Sequence, residues 1–173
     1  MQRKSLDPRA LALTAVMTAI VFALTQVKLI PTPDGGYVHL GDAGIYFSAF
    51  AFGPWMGGAI GGLGTALADI TSGYAQWAIF SFIIHGAQGC AAGWLSKKFP
   101  GIGGLILGAV VGGIIVVLGY LPAGMILASP AQALASLPAN VLQVTVGAIV
   151  GIPLFMAVRK AYPPIMNLGH SRR

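Results

Sequence analysis

Acidic charge is nearly missing from this sequence. Its 173 residues include ten Lys and Arg, four Asp and no Glu, and charged residues amount to 8% of the chain against 56% hydrophobic ones. So few charges cannot cover the surface of a water-soluble fold, and the mean hydropathy of +0.81 points the same way: the chain is read as an integral membrane protein. The basic excess, a formal net charge of +6, is explained by orientation in a bilayer and gives no indication of nucleic acid. A single cysteine, Cys90, rules out an internal disulfide, and its apolar surroundings assign it to packing. Phosphate-loop chemistry is excluded as well, because no Gly-Lys-Ser or Gly-Lys-Thr follows the glycine-rich GGAIGGLG from Gly57 to Gly64. Separated histidines and the lack of His-Glu-x-x-His leave no metal centre, cofactor site or catalytic constellation, so an intramembrane enzyme is the least supported reading.

What the sequence does have is long apolar runs. A hydrocarbon core of ~30 Å needs ~20 helical residues, and the runs predict spans at about 9–27, 40–56, 57–73, 76–96, 102–127 and 136–160, with 1–173 forming one all-α membrane domain. The first run resembles a signal peptide, but no A-x-A-like site follows it and more spans do. Breaks at GPWMGG, Gly53 to Gly58, and TSGYAQ, Thr71 to Gln76, divide the uncharged middle block into three. Positive-inside counting supports that division. Arg3, Lys4, Arg9, Lys97, Lys98, Arg159, Lys160, Arg172 and Arg173 share one face only if six helices cross, which places both termini in the cytoplasm and leaves Lys28 as the exception. Lys28 to Gly41, Thr71 to Gln76 and Ala128 to Ser136 become the external loops.

A buried ionisable group costs ~2.5–3.5 kcal/mol even on lenient membrane-insertion scales, so polar residues inside spans need a reason. Trp77, Ser81, His85 and Gln88 recur at helical spacing and form one stripe. Asp42 and Tyr46 share a face near the start of the second span, Asp69 lies about a turn from the outer end of the third, and Asn140 and Gln143 occupy the outer part of the sixth. Together with His39 they predict a polar pocket in the outer half, covered by the Lys28–Gly41 loop; taken singly, each fits an interhelical hydrogen bond, and His39 fits a solvated loop. Only Lys28 opposes Asp34, Asp42 and Asp69 there, which favours a neutral or cationic ligand over a carboxylate vitamin. Tyr46, Tyr74, Trp77 and Tyr120 are placed to stack on a flat ring, although Tyr74 and Trp77 also suit an interfacial belt.

The first helix carries Ala15, Ala19 and Ala23, a flat strip that serves packing within the bundle as well as contact with a neighbour. From GYVHLGDAGIYFSAF through ADITSGYAQWAIFSFIIHGAQG to the basic pair at Lys97 and Lys98, the chain resembles the substrate-binding S components of energy-coupling factor (ECF) vitamin transporters, particularly the hydroxymethylpyrimidine branch. The resemblance implies six helices with both termini inside, a pocket near the outer face, and a first helix whose A-x-x-x-A motif docks on a transmembrane T component beside two ATPase subunits, in a prokaryotic plasma membrane. The implied ligand is a small heteroaromatic such as an aminopyrimidine, a thiamine precursor or a pyridoxine-like compound. Where relatives commonly read Lys-Gly-Leu-Glu-Gly, this chain has His85-Gly86-Ala87-Gln88-Gly89, so an ion pair is replaced. The alternative of another class is a stand-alone proton-coupled transporter using Asp42, Asp69 or His85.

Overall fold

The computed structural model describes residues 7–168. Six α-helices follow one another: α1 (Pro8–Thr25), α2 (Gly41–Phe52), α3 (Pro54–Thr71), α4 (Ala78–Lys98), α5 (Ile102–Leu127) and α6 (Pro130–Ala161). A 3-10 turn, Pro163–Asn167, follows α6. Four of the six, α1, α4, α5 and α6, are long and apolar enough to cross a membrane. Of the basic residues used to orient the chain, Arg3, Lys4, Arg172 and Arg173 lie outside the described residues.

The chain departs from the expected pattern in the loop between α1 and α2, which contains an antiparallel pair, β1 (Lys28–Pro31) and β2 (Tyr37–His39), with Lys28 opposite His39 and Pro31 opposite Tyr37. The sequence already held the turn chemistry: Asp34 Oδ1 accepts from Thr32 Oγ1 at 2.6 Å, and Gly35 takes φ +85°, a conformation costly for any residue with a Cβ. A second departure is α6. The stretch Ala128–Ser136 is not a loop for most of its length, because Ser129 caps the helix by accepting from Gln132 N and Pro130 occupies the first turn. Ser136 therefore lies on a helix and is fully buried.

All twelve residues of α2 are buried, in contact with α1, α3, α4 and α6. At ~1.5 Å per residue it is about 18 Å long, too short to cross alone. The encasing helices relieve it of that requirement, since lipid never reaches its backbone. Gly53, at φ +89°, ends it and lets Pro54 start α3 at once. The glycines of GGAIGGLG bring α3 against the backbone of α4: a Cβ on Gly61 would stand 2.7 Å from the His85 carbonyl oxygen. The aromatic core, Tyr46, Phe47, Phe50, Phe52 and Phe155, fills the half of the bundle where Lys97 and Arg159 lie, and the polar residues gather at the other end.

Candidate functional site

At that polar end the β1–β2 hairpin and the α3–α4 turn come together with Tyr120 of α5 and with Asn140 and Gln143 of α6 around a cavity of about 40 Å³. The hairpin is tied down from below by α6: Asp34 N donates to Ser136 Oγ at 3.1 Å, and His39 N donates to Gln143 Oε1 at 3.1 Å. Both donors are backbone groups, so the attachment fixes the path of the loop as well as its side chains. Tyr37, His39, Asp69, Trp77, Tyr120 and Gln143 form most of the wall, joined by Ser81, Tyr74 and Asn140. The Trp77 and Tyr120 rings are 6.0 Å apart at 47°, His85 meets Tyr120 edge-on at 5.6 Å, and Tyr120 Oη shares a 2.6 Å hydrogen bond with Ser81 Oγ.

Two buried polar atoms at this cavity have no hydrogen-bond partner among the described residues: Asp69 Oδ2 and Tyr37 Oη. They influence each other electrostatically, and burial together with the Asp69 charge pushes the Tyr37 hydroxyl up to about 12. Buried groups of this kind are satisfied in nearly all folded proteins, so an orphaned pair facing one cavity marks a place built to receive something polar.

Beneath the cavity lies a second polar layer. Asp42, His85 and Gln88 are 0% exposed. Gln88 Nε2 donates to Asp42 Oδ1 at 2.5 Å, and Gln88 Oε1 faces His85 Nδ1 at 2.7 Å. An amide oxygen only accepts, so Nδ1 bears the proton in this arrangement and His85 Nε2 is left without a partner, as is Asp42 Oδ2. His39 stands above them, 4.0 Å from Asp42 Oδ2 and 5.7 Å from the His85 ring, with its Nδ1 accepting from Gly41 N at 3.1 Å. Burial, reinforced by His85 and partly opposed by Asp42, holds the His39 imidazole down to about 4, so it is neutral near pH 7. Gly147 of α6 packs directly on the Asp42 side chain, where a Cβ would not fit, and so seals the layer from lipid.

A family model described as "ECF-type riboflavin transporter, S component" matches residues 5–160. The chain belongs to this S-component family. It is also 40% identical over 148 residues to an uncharacterised protein of the gap 3' region of Pyrococcus woesei, covering 85% of this chain and 99% of that one. It is 35% identical over 141 residues to the thiamine precursor transporter HmpT of Lactococcus lactis subsp. cremoris (strain MG1363), covering 80% of this chain and 81% of that protein.

Within this S component the residues singled out from sequence fall into three groups. His39, Asp69, Tyr74, Trp77, Ser81, Tyr120, Asn140 and Gln143 line the cavity. Asp42, His85 and Gln88 form the layer below it and meet the cavity wall at His39 and Tyr120. Tyr46 lies deeper still, donating to Ala109 O at 2.9 Å and stacking on Phe50, which gives it a part in joining α2 to α5 and none in the cavity wall. Sequence reasoning passed over Thr32, Gly36 and Tyr37, which line the cavity from the hairpin. The signal for Tyr37 was alternation: Tyr37 and His39 fall on one face of a short strand, but three residues are too few to reveal a period. Ala15, Ala19 and Ala23 are all exposed, while α1 buries Thr18, Val21 and Thr25 against its neighbours.

Proposed function

We propose that this S component is the substrate-capture subunit of an ATP-dependent ECF importer in a prokaryotic plasma membrane. In this reading residues 1–173 are one domain crossing six times with both ends inside, and the hairpin covers an outward-facing pocket. The ligand is a small neutral or weakly basic heteroaromatic, with an aminopyrimidine preferred to a pyridoxine-like ring. The observation that carries this is the orphaned pair, Asp69 Oδ2 and Tyr37 Oη, beside the Trp77 and Tyr120 rings. An exocyclic amine donates to the carboxylate while the adjacent ring nitrogen accepts from the hydroxyl along the same edge, and the faces of the ring meet aromatic walls. The family description names riboflavin and one relative's name gives a thiamine precursor; the cavity of about 40 Å³ favours the smaller ring. Such a volume holds a water or two, so even a pyrimidine requires the hairpin to lift and close again over it.

Exposure of Ala15, Ala19 and Ala23 supports the outward role of that strip, contact with a transmembrane partner that works with two ATPase subunits. Titration of the purified protein with an aminopyrimidine, pyridoxine, riboflavin, pantothenate and biotin tests the ligand. Tight binding of the aminopyrimidine is expected, and preference for a carboxylate vitamin would overturn the assignment. In liposomes the lone chain is expected to bind its ligand without accumulating it. Concentrative uptake driven by a pH gradient would establish the proton-coupled transporter instead.

A further inference from the structure

Among the described residues, Lys28 is the basic residue that stands apart from the rest. Lys97, Lys98, Arg159 and Lys160 end α4 and α6, and Arg9 begins α1, whereas Lys28 rides on the hairpin over the cavity. Its ammonium is held there by two aromatic faces: Nζ is 4.9 Å from the Tyr37 ring centroid and 4.8 Å from that of Tyr74. The two rings are 5.1 Å apart, and both line the cavity. The Lys28 charge also acts on the buried Asp69 carboxylate, from beyond ion-pair distance. Two tyrosine faces form a cation subsite, and a residue of the chain itself fills it.

We propose that Lys28 is the charge filter of the pocket: its ammonium occupies the Tyr37–Tyr74 subsite on the hairpin side of the cavity, so a ligand that reaches Asp69 binds best when it is uncharged on the side facing the hairpin. This deepens the functional reading above and rests on it. Two effects act together. A cationic ligand must displace Lys28 from the tyrosine faces or accept a like charge nearby, and although Lys28 is open to solvent, either weakens its binding. A neutral donor such as an aromatic amine shares Asp69 with Lys28 without either penalty. Because Lys28 pairs with His39 in the hairpin, the filter arrives with the lid and acts on whatever is beneath when the loop closes.

The test uses two ligands that differ in one group: 4-amino-5-hydroxymethyl-2-methylpyrimidine, and the same ring with an aminomethyl group, which is protonated at pH 7. The full-length protein, Lys28→Met and Lys28→Arg are titrated with each, and melting temperature verifies folding. The wild type is expected to prefer the neutral ring by roughly threefold or more, Lys28→Met to lose most of that preference by gaining affinity for the aminomethyl compound, and Lys28→Arg to keep it. If all three proteins bind both rings with the same ratio, Lys28 is no filter, and the functional reading stands without it. If the wild type binds neither ring, the pyrimidine reading fails and the filter falls with it.

Discussion

Replacing Asp69 with Asn separates a ligand-binding carboxylate from a structural one. Asp69 is buried near the C-terminal end of α3, and its Oδ2 has no hydrogen-bond partner among the described residues. In the protein alone this oxygen is a cost, since leaving a buried acceptor unsatisfied is worth about 1–3 kcal/mol of destabilisation. Asn has the same shape without the charge, so Asp69→Asn is expected to leave the ligand-free protein as stable or more stable, by up to roughly 1 kcal/mol. For a chain of this length that raises the melting temperature by about 2–4 °C. Binding moves the other way. A hydrogen bond from a ligand amine to a carboxylate is worth about 1.5–3 kcal/mol, so its loss weakens affinity by roughly one to two powers of ten. Calorimetric titration and a thermal melt in the same detergent read the two effects. A variant that melts lower than wild type and binds as tightly would refute the reasoning, because Asp69 would then be holding α3 to its neighbours and not awaiting a ligand.

Acid is expected to loosen the hairpin. His39 has its imidazole lowered by burial from 6.5 to about 4, so the open loop binds a proton more readily than the closed one. Closure is unaffected above pH 6.5 and loses on the order of 3 kcal/mol as pH falls from 6.5 toward 4. Ligand affinity measured across that range should fall in the wild type and stay flatter in His39→Gln; parallel profiles would contradict this account. On α1, Ala19→Leu places a bulky side chain on the exposed strip, far from the cavity, and is expected to block co-purification with the transmembrane partner while ligand affinity stays within twofold. Normal assembly, or joint loss of binding and folding, would assign the strip to another role.

Much of this protein follows from sequence by simple accounting. The near-absence of acidic charge, the apolar runs and the turn residues between them determine a helical membrane chain, because lipid leaves a backbone few other ways to satisfy its hydrogen bonds. The residues that needed explaining were also legible: Asp42, Asp69, His85 and Gln88 are expensive in an apolar span wherever it packs. Periodicity placed Trp77, Ser81, His85 and Gln88 on one face of α4, yet it could not separate the two that open on the cavity from the two that lie beneath it. That division depends on how closely α3 packs on α4 and α6 on α2, which is set by glycines such as Gly61 and Gly147 and leaves no trace in a hydrophobic pattern. Tertiary structure alone decided that Tyr46 turns to the α5 backbone, that Asp34 and His39 hang from Ser136 and Gln143, and that Lys28 settles between Tyr37 and Tyr74. Each joins residues on different elements, in two cases some hundred positions apart, and only the close approach of those elements gives such contacts their geometry and energy.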